Sequence, residues 1–200
     1  MIRNVFVVLL MIACVGCVEE ADKPAAKEGF FYVQPGETVK PQEGTSWRKF
    51  KEAGISLQIP KGWIVEEFKS PSGEIVKVSA DSTYKVGLTV NVIKDVTSKT
   101  GISADLYALK LYKEYVSNVK SIVYNTLKKE DHFTKVKWKV IKDMPEHPGI
   151  EFTVRVSAIA DRINDVLYIY IFGSPTETYD KNWKIGEKIF TPLLIHPEKI

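Results

Sequence analysis

The chain has almost no cysteine. Its 200 residues include two, Cys14 and Cys17, and both fall in the stretch "MIACVGCVEE". A disulfide framework needs cysteines spread through the folded unit, so none is expected here. Histidine is equally sparse: His132, His147 and His196 are scattered in loop-like contexts. A structural zinc site wants four ligands, and no second CxxC or close histidine pair accompanies Cys14 and Cys17. A thioredoxin-type pair opens a helix inside a folded unit, whereas these cysteines end an apolar N-terminal run. A concentrated basic face is missing too. Formal net charge is +3, and the densest basic stretch, "TKVKWKVIK", alternates lysine with apolar residues. Nucleic acid is therefore not an expected partner.

What is present is a globular composition. Hydrophobic residues make up 44% and charged residues 26%, with four Trp, nine Tyr and nine Phe to fill a core. That suits one ordinary domain with a tail. "MIRN" carries a single charge, Arg3, and "VFVVLLMIACVG" then runs from Val5 to Gly16 without one. A short basic start and an apolar segment of roughly 7 to 15 residues form the pattern of a secretory signal. The run is shorter than the about 20 apolar residues of a membrane span. Residues 1–16 are read as the signal, residues 17–46 as a tether and residues 47–200 as the folded domain.

The end of the apolar run resembles the lipobox of bacterial lipoproteins, in which a small residue precedes a cysteine that receives diacylglycerol on its thiol. Gly16 before Cys17 supplies the small residue, and Val15 precedes it. Cys14 stands where leucine is usual. A second frame ends at Cys14, with Met11 and Ala13 ahead of it. Cys17 leaves the longer apolar segment and meets the charged tail sooner, so it is the preferred lipidation site, with Cys14 the alternative. The resemblance implies attachment to a membrane through N-terminal lipid, with the domain on the exported side of the cell envelope. Acyl burial contributes about 0.8 kcal/mol per CH₂, and more than one chain is needed for stable anchoring. Loss of Arg3 with the signal leaves 27 basic against 25 acidic residues, so lipid rather than surface charge would hold the protein.

"VEEADKPAAKEGFFYVQPGETVKPQEGTS", residues 18–46, is rich in Glu, Lys, Pro, Gly and Ala, a composition that buries little apolar surface. As a flexible coil it spans on the order of 30 Å. The patch "FFYV", Phe30 to Val33, interrupts it. This patch reads as a segment docking on the domain as an extra edge strand, or as a surface for a partner or membrane.

From Trp47 the patterns become regular. "GISLQIP" alternates Ile55, Leu57 and Ile59 against Ser56 and Gln58, a half-buried strand. "PKGW" turns the chain, with Pro60 second and Gly62 fourth in the turn. "WIVEEF", "EIVKVSA" and "YKVGLTVNVIK" give further strands. Ser103 predicts a helix start, with Asp105 in its first turn and Leu106, Leu109, Tyr112, Val116 and Val119 as its apolar stripe. The helix is expected to end near Lys120, and "SIVYNTLKKED" could prolong it. "KVKWKVIK" puts Val136, Trp138 and Val140 on one face and Lys135, Lys137 and Lys139 on the other. "IEFTVRVSA" buries Phe152, Val154 and Val156 and exposes Glu151, Thr153 and Arg155. "VLYIYIF", Val166 to Phe172, is apolar on both faces, as a doubly covered central strand is. "SPTE" predicts a capping box on Ser174, with Pro175 first in the helix and Glu177 closing it. The order argues α+β: an αβα sandwich with a central antiparallel sheet and helices on both faces.

"GISLQIPKGW", "YKVGLTVNVI" and "VLYIYIFGSPTETYDKNWKIGEKIFTPLLI" together resemble the PsbP/Mog1-type domain, over Trp47 to Ile195. That family opens with a strand ending in Pro-x-x-Trp and closes with an apolar strand, an aromatic-bearing helix and a short apolar tail. The resemblance implies the αβα sandwich and a mostly non-catalytic role, because members act as extrinsic or partner-binding subunits.

No GxSxG, HExxH or phosphate loop occurs, and no cofactor is expected. Asp131–His132 and Glu146–His147 are acid–histidine neighbours in loops without an accompanying nucleophile. A weak metal site at His132 or His147 is one use for them, and exposed loop polarity is the plainer reading. The lysines of "KVKWKVIK" fit a solvated strand face that discourages edge pairing, or a surface for an acidic partner. Two functions follow. One is a lipid-anchored envelope module that binds or assembles with a protein partner. The alternative is an envelope hydrolase or metal-dependent enzyme with a loop-built site.

Overall fold

The computed structural model describes residues 31–32, 40–117, 119, 121–130, 132–190 and 193–195. Cys14, Cys17, Asp131 and His196 lie outside them.

Alternating apolar residues set the strands, and the strands form two sheets. The larger contains β4 (Ile64–Ser70), β5 (Gly73–Ser79), β6 (Gly87–Ile93), β7 (Ser121–Glu130), β8 (Phe133–Asp143), β9 (Glu151–Asp161) and β10 (Val166–Pro175). Its order is β4-β5-β6-β10-β9-β8-β7, antiparallel throughout. The strand that is apolar on both faces, β10, lies fourth of seven. Leu167 and Ile169 enter one core, and Val166, Tyr168, Tyr170 and Phe172 enter the other.

The first core is closed by two helices, α1 (Val96–Thr100) and α2 (Ala104–Ser117). Ala104 and Ala108 press against the sheet, and Tyr112 and Tyr115 meet the buried Trp138 edge-on at 5.5 and 5.6 Å. The second core is closed by α3 (Tyr179–Phe190) and by a smaller sheet of order β1-β11-β3-β2. Those strands are β1 (Phe31–Tyr32), β2 (Thr45–Phe50), β3 (Ile55–Pro60) and β11 (Leu193–Ile195). Helices thus cover both faces of the central sheet, and the α+β sandwich is the observed class. Each large side chain it buries contributes about 1.5–3 kcal/mol relative to exposure.

Several local readings are corrected. Sheet pairing is split in two, because β3 pairs with β2 and β11 rather than with β4. Gln58 is therefore 2% exposed instead of solvated; its Oε1 accepts from Gln42 N–H at 2.9 Å and Thr45 Oγ1 at 2.8 Å. In "PKGW" the Trp63 N–H donates to Pro60 O at 3.2 Å. Pro60 is thus first in the turn, and Gly62 takes the left-handed third position at φ +83°. The helix does not continue past 117: residues 121–130 form β7, paired along β8. That pairing makes β8 an inner strand, so its lysines do not guard an edge.

Leu109, Tyr112, Val116 and Val119 of the expected stripe pack against the core, but Leu106 is 54% exposed and the small Ala104 and Ala108 are the residues fully inside. Ser103 donates to the Asp105 carboxylate at 2.6 Å rather than capping backbone, which holds that carboxyl below its usual range. The capping box at "SPTE" is not made. Ser174 and Pro175 stay in β10, opposite Thr153 and Phe152, and a single 3-10 turn at Thr176–Thr178 precedes α3. The Ser174 hydroxyl accepts instead from Asn182 Nδ2 at 2.7 Å. Thr153 is buried, its hydroxyl donating to the Thr176 hydroxyl of the 3-10 turn at 3.1 Å. Arg155 is half-buried against α3; its guanidinium lies 4.4 Å from the Trp183 ring centre. Lys139 lies 4.6 Å over Tyr179, so one of the three lysines has an aromatic seat.

Phe31–Tyr32 runs parallel to β11, with Phe31 opposite Leu194 and Tyr32 opposite Ile195. Phe31 and Tyr32 of the tether's aromatic patch thus supply an edge strand, as its docking reading expected; Phe30 and Val33 lie outside the described residues.

Candidate functional site

The two described histidines are kept apart. His132 precedes β8 and His147 follows it, and a strand of 11 residues spans about 36 Å. His132 packs on the Phe133 ring at 4.1 Å, and its Nε2 lies 3.9 Å from the buried Asp161 carboxylate. That carboxylate already accepts from the N–H groups of Ile163 and Asn164 and from Asn164 Nδ2, closing the β9–β10 turn. His147 stacks on Phe152 at 5.3 Å, and Glu146 beside it is exposed. Among the described residues no group of three or more His, Cys, Asp or Glu is placed to hold a metal.

A cavity of about 370 Å³ lies beside α2, on the same face of the large sheet. Its floor is sheet backbone where Gly87 of β6 and Gly173 of β10 sit directly opposite each other. Ile171, Val154 and Phe152 continue the floor, and Tyr115 of α2 forms one wall. The β8–β9 loop supplies Met144, Glu146 and His147, and the β5–β6 loop supplies Tyr84 and Lys85. Both loops are internally tied. His147 N–H donates to Met144 O at 3.0 Å; Thr83 donates both its N–H and its hydroxyl to the Asp81 carboxylate, lowering the pKa of that carboxyl.

Three lysines rim the cavity: Lys77, Lys85 and Lys142. Lys142 Nζ lies 4.6 Å over the Tyr115 ring and Lys77 Nζ 5.3 Å over Phe68. Glu146 is the one carboxylate among the lining residues. Glu66, across from Lys77 on β4, takes a hydrogen bond from the Tyr84 hydroxyl, which raises the tyrosine's pKa. Among the lining residues lysines outnumber carboxylates three to one; outside the lining, Asp81 is held by Thr83 and feels the Lys85 charge. Ser79 also lines the cavity, but its hydroxyl donates to the carbonyls of Asp81 (2.7 Å) and Val86 (3.3 Å), not to His147. No nucleophile–base pair converges there.

The sequence reading missed this site. The lysines it considered as a surface for an acidic partner, Lys135, Lys137 and Lys139, project from the opposite face of the sheet, where Lys139 lies over Tyr179. One signal was available: Lys142, next to the end of its strand, shares the parity of the buried Val136, Trp138 and Val140. A lysine in core register is costly unless its head reaches water or a ligand.

The solution structure of cyanobacterial PsbP (CyanoP) from Synechocystis sp. PCC 6803 superposes with a TM-score of 0.50 at 12% identity, covering 81% of this chain and 99% of that one. The fold is PsbP-like. A crystal structure from Bacteroides thetaiotaomicron matches the PsbP-like domain with a TM-score of 0.50 and 14% identity, over 78% of this chain and 50% of that one. LpqN, described as involved in cell envelope biogenesis of Mycobacterium tuberculosis, matches with a TM-score of 0.43 and 12% identity, over 72% of this chain and 83% of that one. No family model and no curated protein matches the sequence.

Proposed function

We propose that the protein is a lipid-anchored, non-catalytic binding or assembly module of the cell envelope. Acyl chains on Cys17 hold it to the membrane, and the PsbP-like domain meets its partner on the exported side. The make-up of the cavity carries the reading: lysines, aromatics and bare backbone converge on it, without a paired nucleophile and base. That is the chemistry of holding rather than cleaving.

The anchor rests on the twelve uncharged residues before Cys17 and on their resemblance to a lipobox. Among the described residues no helix is long and apolar enough to cross a membrane. β1 shortens the link between anchor and domain. Thirteen residues, 18–30, separate Cys17 from Phe31, a contour of at most about 45 Å. The edge of the small sheet would then face the bilayer.

Fractionation of an exporting bacterial host tests this. The full chain is expected in the membrane fraction, released by detergent but not by high salt, and digested by protease added to spheroplasts. Release by salt, or protection from that protease, contradicts the proposal.

A further inference from the structure

Neither packing nor backbone geometry accounts for Gly173. A Cβ built there meets nothing within 4 Å, and its φ is not among the positive ones. The residue lies inside a strand paired on both sides, with Gly87 and Val154 opposite it, where glycine weakens a sheet and commonly marks a close approach of another molecule. What glycine does at this position is keep the cavity floor flat, and the open space above it is the cavity itself.

We propose that this cavity binds a small amphipathic organic anion. Its acidic group is held by Lys85 and Lys142, with Lys77 at the rim, and its apolar body lies on the Gly87–Gly173 floor against Ile171 and Tyr115. The volume of about 370 Å³ falls within the roughly 300–1,000 Å³ of small-molecule sites, which are largely apolar with a few placed charges. Charge chooses the ligand's sign: three lysines face a single lining carboxylate, Glu146, on an exposed loop position. Apolar floor and aromatic wall choose its body, and a lone inorganic ion would leave them uncovered. The inference deepens the binding-module reading and rests on it. The anchor is tested separately, so failure here leaves that part standing.

The test uses the full chain in phosphatidylcholine nanodiscs, titrated calorimetrically with naphthalene-1-sulfonate against empty discs. Saturable binding of one probe per chain is expected, weakening as salt rises. The cationic 1-naphthylmethylammonium should not bind the site. Gly173→Leu should abolish binding without lowering Tm, because the added side chain enters open space. Lys85→Glu with Lys142→Glu should weaken binding at least tenfold, and this pair of rim changes decides the matter if Gly173→Leu proves unstable. No saturable heat, equal binding of the cation, or wild-type affinity in both variants overturns the proposal.

Discussion

Asp165, in the turn between β9 and β10, caps a helix 68 residues earlier in the chain. Its carboxylate accepts from the Thr97 N–H at 2.8 Å and from the Thr97 hydroxyl at 2.9 Å, and its carbonyl accepts from Val96 N–H at 3.1 Å. Asp95, at the N-cap position itself, makes no side-chain cap bond. A five-residue helix cannot sustain itself, so α1 exists because the β9–β10 turn holds its first turn.

Asp165→Ala is therefore expected to destabilise the protein by about 1–2 kcal/mol, the scale of a lost cap. Asp165 sits at φ 51°, where Asn is better tolerated than Ala, so Asp165→Asn should cost less. Urea unfolding gives both values, and hydrogen exchange should show lost protection at the α1 amides.

Gly186 faces the Phe172 ring across the second core. A Cβ at 186 would come within 2.5–2.9 Å of three ring carbons, and Phe172 is fully buried. Alanine favours a helix by up to about 1 kcal/mol over glycine, but overpacking costs about 1–3. Gly186→Ala should lower Tm, and adding Phe172→Leu should recover part of the loss.

Tyr170 is buried in the same core, and its hydroxyl has no hydrogen-bond partner among the described residues. Burial pushes its pKa well above the ordinary value, with the neighbouring Tyr168 adding to the shift. The folded state thus keeps a proton that the unfolded chain gives up near pH 10. Stability is unaffected below that and falls as pH rises further. Tyr170→Phe should leave Tm at pH 7 unchanged or slightly higher, since it removes an unpaired polar group. It should also flatten the alkaline decline in a series of melts above pH 10.

Ala108 and Leu106 exchange the roles that their sizes suggest. Ala108→Leu should cost about 1–3 kcal/mol, because α2 lies too close to the sheet for a larger side chain. Leu106→Lys should fall within about 0.5 kcal/mol of the original, as exposed positions do. Chemical denaturation of the two variants checks this.

These elements show what sequence could and could not tell. β10 was legible as the central strand because apolar residues on both faces have one structural meaning. β7 was not, since "SIVYNTLKK" follows a helix without a breaker and its strand state comes from pairing with β8. The cap at Ser174 had the right residue types, but pairing with Thr153 carried β10 past it. α2 was placed correctly and most of its apolar face was legible: Leu109, Tyr112 and Val116 pack against the core, whereas Leu106 points out and the small Ala104 and Ala108 take the closest contact. The cavity joins β5, β6, the end of α2, the β8–β9 loop and β10. Only tertiary structure brings those together, and its one local trace was lysine in core register.

The attachment of lipid at Cys17 is the claim on which location and orientation both depend. Metabolic labelling with a palmitate analogue in an exporting bacterial host tests it directly. Label should enter the original chain and the Cys14→Ala variant and be absent from Cys17→Ala. No incorporation into the original chain, or full incorporation into Cys17→Ala, contradicts the account.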